Sequence, residues 1–143
     1  MDKNVIEVAE LATIGFKPIV LFESWRVATL CYAEDLYPPN ISYLERHMET
    51  DEVFILMAGQ ATLMLGGNNA EVSDLEALPM QPMLTYNVKL GAWHSVVMSR
   101  DAVILLVENV DTDKVNSEYL DLTDPMKQAF LQTARQFLDW ADL

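Results

Sequence analysis

Residues 43–59 read Tyr43-Leu44-Glu45-Arg46-His47-Met48-Glu49-Thr50-Asp51-Glu52-Val53-Phe54-Ile55-Leu56-Met57-Ala58-Gly59. Two short β-rich runs, 41–47 and 53–58, flank the polar link Met48-Glu49-Thr50-Asp51, and Gly59-Gln60 turns the chain into a third, 61–65. Side chains two apart in a strand share a face, so Glu45 and His47 point one way and Arg46 the other. Glu52 opens the next strand of what reads as one hairpin, which returns its carboxylate to the side of His47.

Outward from this stretch the same texture continues. Upstream, Ile19-Val20-Leu21-Phe22 and 25–33 are rich in β-branched and aromatic residues. Downstream, Gly66-Gly67-Asn68-Asn69 is a strong turn signal, and strand-like runs return at 83–88, 94–98 and 102–110. Residues 70–82, polar and broken by Pro79 and Pro82, read as a loop, whereas 5–14 fit a helix or a strand equally. Many short strands with turn residues between them predict an all-β antiparallel barrel of jelly-roll type. The end of the chain changes period. Asp124 before Pro125 reads as an N-cap and first helical residue. Met126, Phe130, Ala134, Phe137, Leu138 and Ala141 then recur at helical spacing. One domain over 1–143 is expected, with a barrel core at about 19–112 and a helix at about 124–141.

Composition narrows the function. Of 143 residues 51% are apolar and 22% charged, enough for a core and too few for two ordinary domains. Nine Lys and Arg against 22 Asp and Glu give a net charge of −13, which repels phosphate backbones and anionic lipid, so nucleic-acid and membrane-surface binding are not expected. A single cysteine, Cys31, excludes an internal disulfide and a cysteine-based zinc cluster. No apolar run reaches the ~20 residues of a bilayer span, and the opening residues lack a signal-peptide pattern. A soluble cytoplasmic protein is the expectation.

The chain has two histidines, His47 and His94, and both fall at informative places. If the barrel closes, His94 in Gly91-Ala92-Trp93-His94 meets Glu45, His47 and Glu52. Two imidazoles and two carboxylates suit Zn, Mn, Fe or Ni without selecting one. Arg26 and Lys89 are candidates for gripping a substrate carboxylate, and Tyr86 for donating a hydrogen bond to it. Glu49 and Asp51 read as solvated turn acids, Trp93 as packing, and Cys31 as a small buried hydrophobe.

These residues carry a resemblance. The run from Glu45 to Gly59 resembles the first cupin motif, in which His-x-His is followed by three or four residues, Glu, six residues and Gly. His47 takes the second His position, Glu52 the Glu and Gly59 the Gly, while Glu45 stands where most cupins have their first His. The second motif, Pro-x-Gly-x-x-His, is met by Gly91 and His94, with Lys89 in place of Pro. Residues 43–59 and 85–110 further resemble the ureidoglycolate lyase family, which converts ureidoglycolate to glyoxylate and urea; Leu90 and Ser95 depart from that family's Arg and second His. The resemblance implies a carbon–nitrogen lyase acting on a small carboxylate substrate, with Glu45, His47, Glu52 and His94 as catalytic or metal-binding residues. Another cupin enzyme, such as a sugar isomerase or epimerase, and a non-catalytic binding cupin are the alternatives. A homodimer is expected, its contact drawn from the hydrophobic stretch 5–22 that would cover an open sheet edge.

Overall fold

The computed structural model describes residues 2–139. Its ten strands are β1 (Gly15–Phe22), β2 (Trp25–Cys31), β3 (Tyr43–His47), β4 (Glu52–Ala58), β5 (Ala61–Leu65), β6 (Glu76–Pro79), β7 (Thr85–Val88), β8 (His94–Met98), β9 (Val103–Asn109) and β10 (Ser117–Asp121). A single helix, α1 (Asp124–Arg135), follows them. The strands form two antiparallel five-stranded sheets, ordered β1-β2-β9-β4-β7 and β10-β3-β8-β5-β6, that face one another as a jelly roll.

Strand alternation builds the space between them. Ala28, Phe54, Leu56, Ile104 and Leu106 of the first sheet meet Leu63, Val96 and Met98 of the second in one buried cluster. Leu44, Met64 and Val97 point out of the opposite face of the second sheet and pack with Phe130, Ala134 and Leu138 of the helical segment. That outer layer accounts for the apolar stripe read at the C-terminus; Ala141 lies outside the described residues.

Several expectations are corrected. β3 and β4 do not form a hairpin: they belong to opposite sheets, and residues 48–51 cross between them. The polar stretch 70–82 contains β6, whose Pro79 is tolerated because β6 is an edge strand and needs no donor on its open side. β10, with the sequence Ser-Glu-Tyr-Leu-Asp, went unread because an edge strand can be polar; it pairs with β3 from Ser117↔His47 to Asp121↔Tyr43. β1 starts at Gly15 rather than Ile19 and carries an irregularity between Pro18 and Val20. Residues 6–14 are neither helix nor strand. Ala12 ties this segment to β2: its N–H donates to Thr29 Oγ1, and Cys31 Sγ donates to its carbonyl. The helix cap is Thr123, whose Oγ1 accepts from Met126 N–H, and Asp124 is the first helical residue.

Candidate active site

The strand ends that meet at one end of the sandwich carry its polar residues. His47 closes β3, Glu52 opens β4, His94 opens β8, Glu108 is the penultimate residue of β9, and Ser117 opens β10. Each occupies the inward phase of its strand. Glu45 and His94 are also direct cross-strand partners. Together with Arg26, they line a cavity of about 450 Å³ whose other walls include Phe16, Leu30, Phe54, Leu106, Tyr43 and Tyr119.

Glu52 sits at the centre. Its Oε2 lies 3.0 Å from His47 Nε2 and 3.0 Å from His94 Nε2. The outer nitrogens are held as well: His94 Nδ1–H donates to the Ala92 carbonyl at 2.9 Å, and His47 Nδ1 lies 2.7 Å from Ser117 Oγ. A carbonyl only accepts, so the Nδ1 proton of His94 is fixed. Its Nε2 therefore faces the carboxylate either as the second N–H of an imidazolium or as a lone pair that needs a cation between them.

The three carboxylates have unequal surroundings. Burial alone would raise Glu52, but hydrogen bonds and charge from the two histidines hold it well below the usual carboxylate range. Burial also opposes charge on both histidines, and the Glu52 carboxylate reverses this, raising both. Glu108 is pushed up to about 7 by burial and by the charge of Glu52, with Arg26 pulling the other way. Glu45 is raised, mainly by burial, and among the described residues it accepts no hydrogen bond.

The donor set fits a divalent cation. Ligand atoms of Glu45, His47 and His94 lie within 4.8 Å of one another, as do those of His47, Glu52 and Glu108. Both histidines present Nε2 inward with Nδ1 anchored from behind, the arrangement that orients metal-binding imidazoles. Nothing in this set distinguishes Zn from Mn, Fe or Ni.

The remaining sequence candidates divide. Arg26 lines the cavity, yet its guanidinium is engaged by Glu108 at 2.7 Å and by the Val110 and Thr112 carbonyls. Tyr86 and Lys89 line a separate apolar depression with Leu63, Leu65 and Val88. There Tyr86 Oη accepts from Gln81 N–H, and Lys89 pairs with Asp51 at 2.6 Å. The reason is strand phase and position: Tyr86 and Lys89 lie at the β7 end of the first sheet, across from β5. Asp51 also accepts from Leu90 N–H and Asn87 Nδ2, so this turn acid ties β4 to the loop before β8. Glu108 was missed. Its signal was present: in 102–110 the inward positions 104, 106 and 108 read Ile, Leu, Glu, an acid in an otherwise apolar row.

No protein-family model and no curated protein matches the chain. Solved structures do. A cupin-2 domain containing protein from Shewanella frigidimarina aligns at 16% identity and a TM-score of 0.50, covering 75% of this chain and 87% of that one. The fold is of the cupin type. Pac13 of Streptomyces, described as a unique nucleoside dehydratase, aligns at 11% identity and a TM-score of 0.54 over 75% of this chain and 79% of that one, and a variant of it was solved with uridine. CapF from Staphylococcus aureus, a capsular polysaccharide assembling protein, aligns at a TM-score of 0.57 and 13% identity over 73% of this chain and 29% of CapF. At these identities the cupin likeness is one of fold.

Proposed function

We propose that the chain is a small-molecule lyase working by proton transfer at a carbon that bears a hydroxyl group. One observation carries this reading: Glu45, His47, Glu52, His94 and Glu108 converge on a single cavity in three distinct hydrogen-bonding states. Glu52 is clamped between imidazoles, Glu108 is half engaged, and Glu45 is open to accept a proton. Carboxyl and imidazole groups whose environments separate their proton affinities are what acid–base chemistry near neutral pH requires.

In such a reaction Glu45 takes the hydroxyl proton, the carbonyl forms as the bond to the leaving nitrogen or oxygen breaks, and His47 returns a proton to the leaving group. For ureidoglycolate, the substrate implied by the motif resemblance, the products are glyoxylate and urea. In the alternative form of the site Glu45, His47, Glu52 and His94 would hold a divalent cation, Glu45 and His47 then serving as ligands rather than as base and acid, and the ion would stabilise negative charge developing on the substrate oxygen. That Pac13, a fold neighbour, is described as a dehydratase supports an elimination chemistry in this scaffold.

The test is release of glyoxylate from ureidoglycolate by protein purified without chelator, followed with and without added Zn²⁺, Mn²⁺, Fe²⁺ or Ni²⁺. Turnover that is abolished in Glu45→Gln supports the ureidoglycolate form of the reading. No turnover in any metal state contradicts that form, and a compound that binds in the cavity and emerges unchanged makes this a binding protein.

A further inference from the structure

Glu108 lies outside both cupin motifs, yet its side chain lines the cavity and is only 3% exposed. It follows Ile104 and Leu106 in the inward row of β9. Arg26 is its cross-strand partner on β2, and Glu108 Oε1 accepts from Arg26 Nε at 3.1 Å and Nη2 at 2.7 Å. The guanidinium is tied in turn to the Val110 and Thr112 carbonyls. The carboxyl group is thus held from behind. Its other oxygen, Oε2, is shut off from water and has no hydrogen-bond partner among the described residues.

A second carboxylate stands beside it. The register that pairs Val53 with Val107 brings Glu52 of β4 next to Glu108 of β9. Ligand atoms of Glu52, Glu108 and His47 all lie within 4.8 Å of one another. Like charges opposed on neighbouring strands are destabilising, and a buried oxygen without a donor adds to the cost. Arg26 offsets this charge from the Oε1 side, and the two imidazoles do so only when protonated.

The spacing is that of ligands around one ion. Glu108 Oε2 is 3.9 Å from His47 Nε2, too long for a hydrogen bond. Two atoms each ~2.1 Å from a common ion lie about 3.0–4.2 Å apart for angles of 90–180°. The 3.0 Å between His47 Nε2 and Glu52 Oε2 falls in the same range. Size agrees with spacing. A water sits about 2.8 Å from an oxygen and a zinc-sized ion about 2.1 Å, so a gap closed to water still admits a cation.

We propose that Glu108, through Oε2, is a ligand of the divalent cation, joining His47 and Glu52. The inference rests on the cation-bound form of the proposed site, and it adds a carboxylate that neither motif supplies. Ligating carboxylates are themselves held by hydrogen bonds from behind, and the Arg26 fork provides them.

Metal binding tests this independently of turnover. Chelator-stripped protein is titrated by calorimetry with Zn²⁺ and with Mn²⁺, and wild-type crystals soaked in Mn²⁺ locate the ion by anomalous scattering. The soak should place Glu108 Oε2 about 2.0–2.4 Å from the ion. Glu108→Gln should bind both ions more weakly by about tenfold or more, while Glu49→Gln binds them as wild type does. An ion held by His47 and Glu52 with Glu108 Oε2 beyond about 3 Å overturns the proposal. So does equal affinity in wild type and Glu108→Gln, or no ion bound by wild type at all. The wild-type soak stands even if Glu108→Gln folds poorly. Turnover of ureidoglycolate by protein that binds no ion would sink this inference and spare the lyase reading. An ion held through Glu108, with no turnover of any hydroxylated compound, would do the reverse.

Discussion

Glu52 Oε2 and His94 Nε2 are 3.0 Å apart, although 42 residues separate them in sequence. Because His94 Nδ1–H is committed to the Ala92 carbonyl, this contact is favourable only with a positive charge, on the ring or on an ion. Glu52→Gln removes the partner of that charge. Both histidines should then titrate lower, since the dominant support for their charged forms is gone and burial remains. Imidazole NMR titration of the chelator-treated protein reads this; unchanged midpoints would mean that Glu52 does not set their charge.

The same groups set a pH optimum for stability in the absence of metal. His47 and His94 are raised, so their stabilisation is complete below about pH 6.5 and fades as pH rises through their folded values. Glu108, pushed up to about 7, acts in the same direction: the fold favours its protonated form, and this contribution is lost as pH climbs through 7. Glu52 is depressed, so its stabilisation is present above about pH 4.3 and lost as pH falls. Thermal melts in chelator should peak between about pH 5 and 6 and decline toward pH 8.

Metal affinity separates the acids of one short segment. Glu45 lies within ligand distance of both histidines, whereas exposed Glu49 accepts from Asn116 Nδ2 on the surface. Glu45→Gln should weaken binding of a divalent cation by about tenfold or more. Glu49→Gln should leave it unchanged. Equal metal content in the two variants, measured by elemental analysis after dialysis, would remove Glu45 from the ligand set.

Packing predictions are sharper. A Cβ on Gly59, which sits at φ +71°, would come 2.5 Å from Ala102 Cα, so Gly59→Ala must move backbone. It should cost at least about 2 kcal/mol. Gly67, at φ +74° with open space around it, should cost only the conformational penalty of about 1–2 kcal/mol in Gly67→Ala. Phe130 is fully buried between α1 and the second sheet, so Phe130→Ala should cost about 3–5 kcal/mol. Denaturant unfolding of the three variants checks the order.

The segment 5–22 exposes Val5, Val8, Leu11, Ile14, Leu21 and Phe22, and β1 is an edge strand. Together these favour a second copy of the chain covering that edge. Light scattering should give twice the chain mass at micromolar concentration, and Leu21→Lys should shift it toward the monomer. A monomeric wild type contradicts this.

How much was legible depended on where each residue's environment came from. Alternation alone put Glu45 with His47, and the spacing from Glu52 to Gly59 marked the strand that carries Glu52. The hairpin drawn for β3 and β4 was nevertheless wrong, because the same pattern serves two strands in facing sheets, and only long-range pairing decides between them. Tyr86 and Lys89 line a separate depression, and the pattern of a single strand does not say which end of the sandwich it serves. Glu108 was readable as an acid in the row Ile104, Leu106, Glu108. Ser117 and Tyr119 were not, since β10 is a polar edge strand whose only strong signal is its partner.

In the proposed reaction Glu45, His47, Glu52, His94 and Glu108 act as one acid–base site on a small hydroxylated molecule. Its most direct measurement follows product formation by proton NMR from ureidoglycolate and from other small hydroxylated compounds, with wild type and Glu45→Gln side by side. Product is expected from at least one compound with wild type, and none from Glu45→Gln even where that variant still binds the compound. Equal turnover by both proteins, or binding with no product from any compound in any metal state, would contradict it.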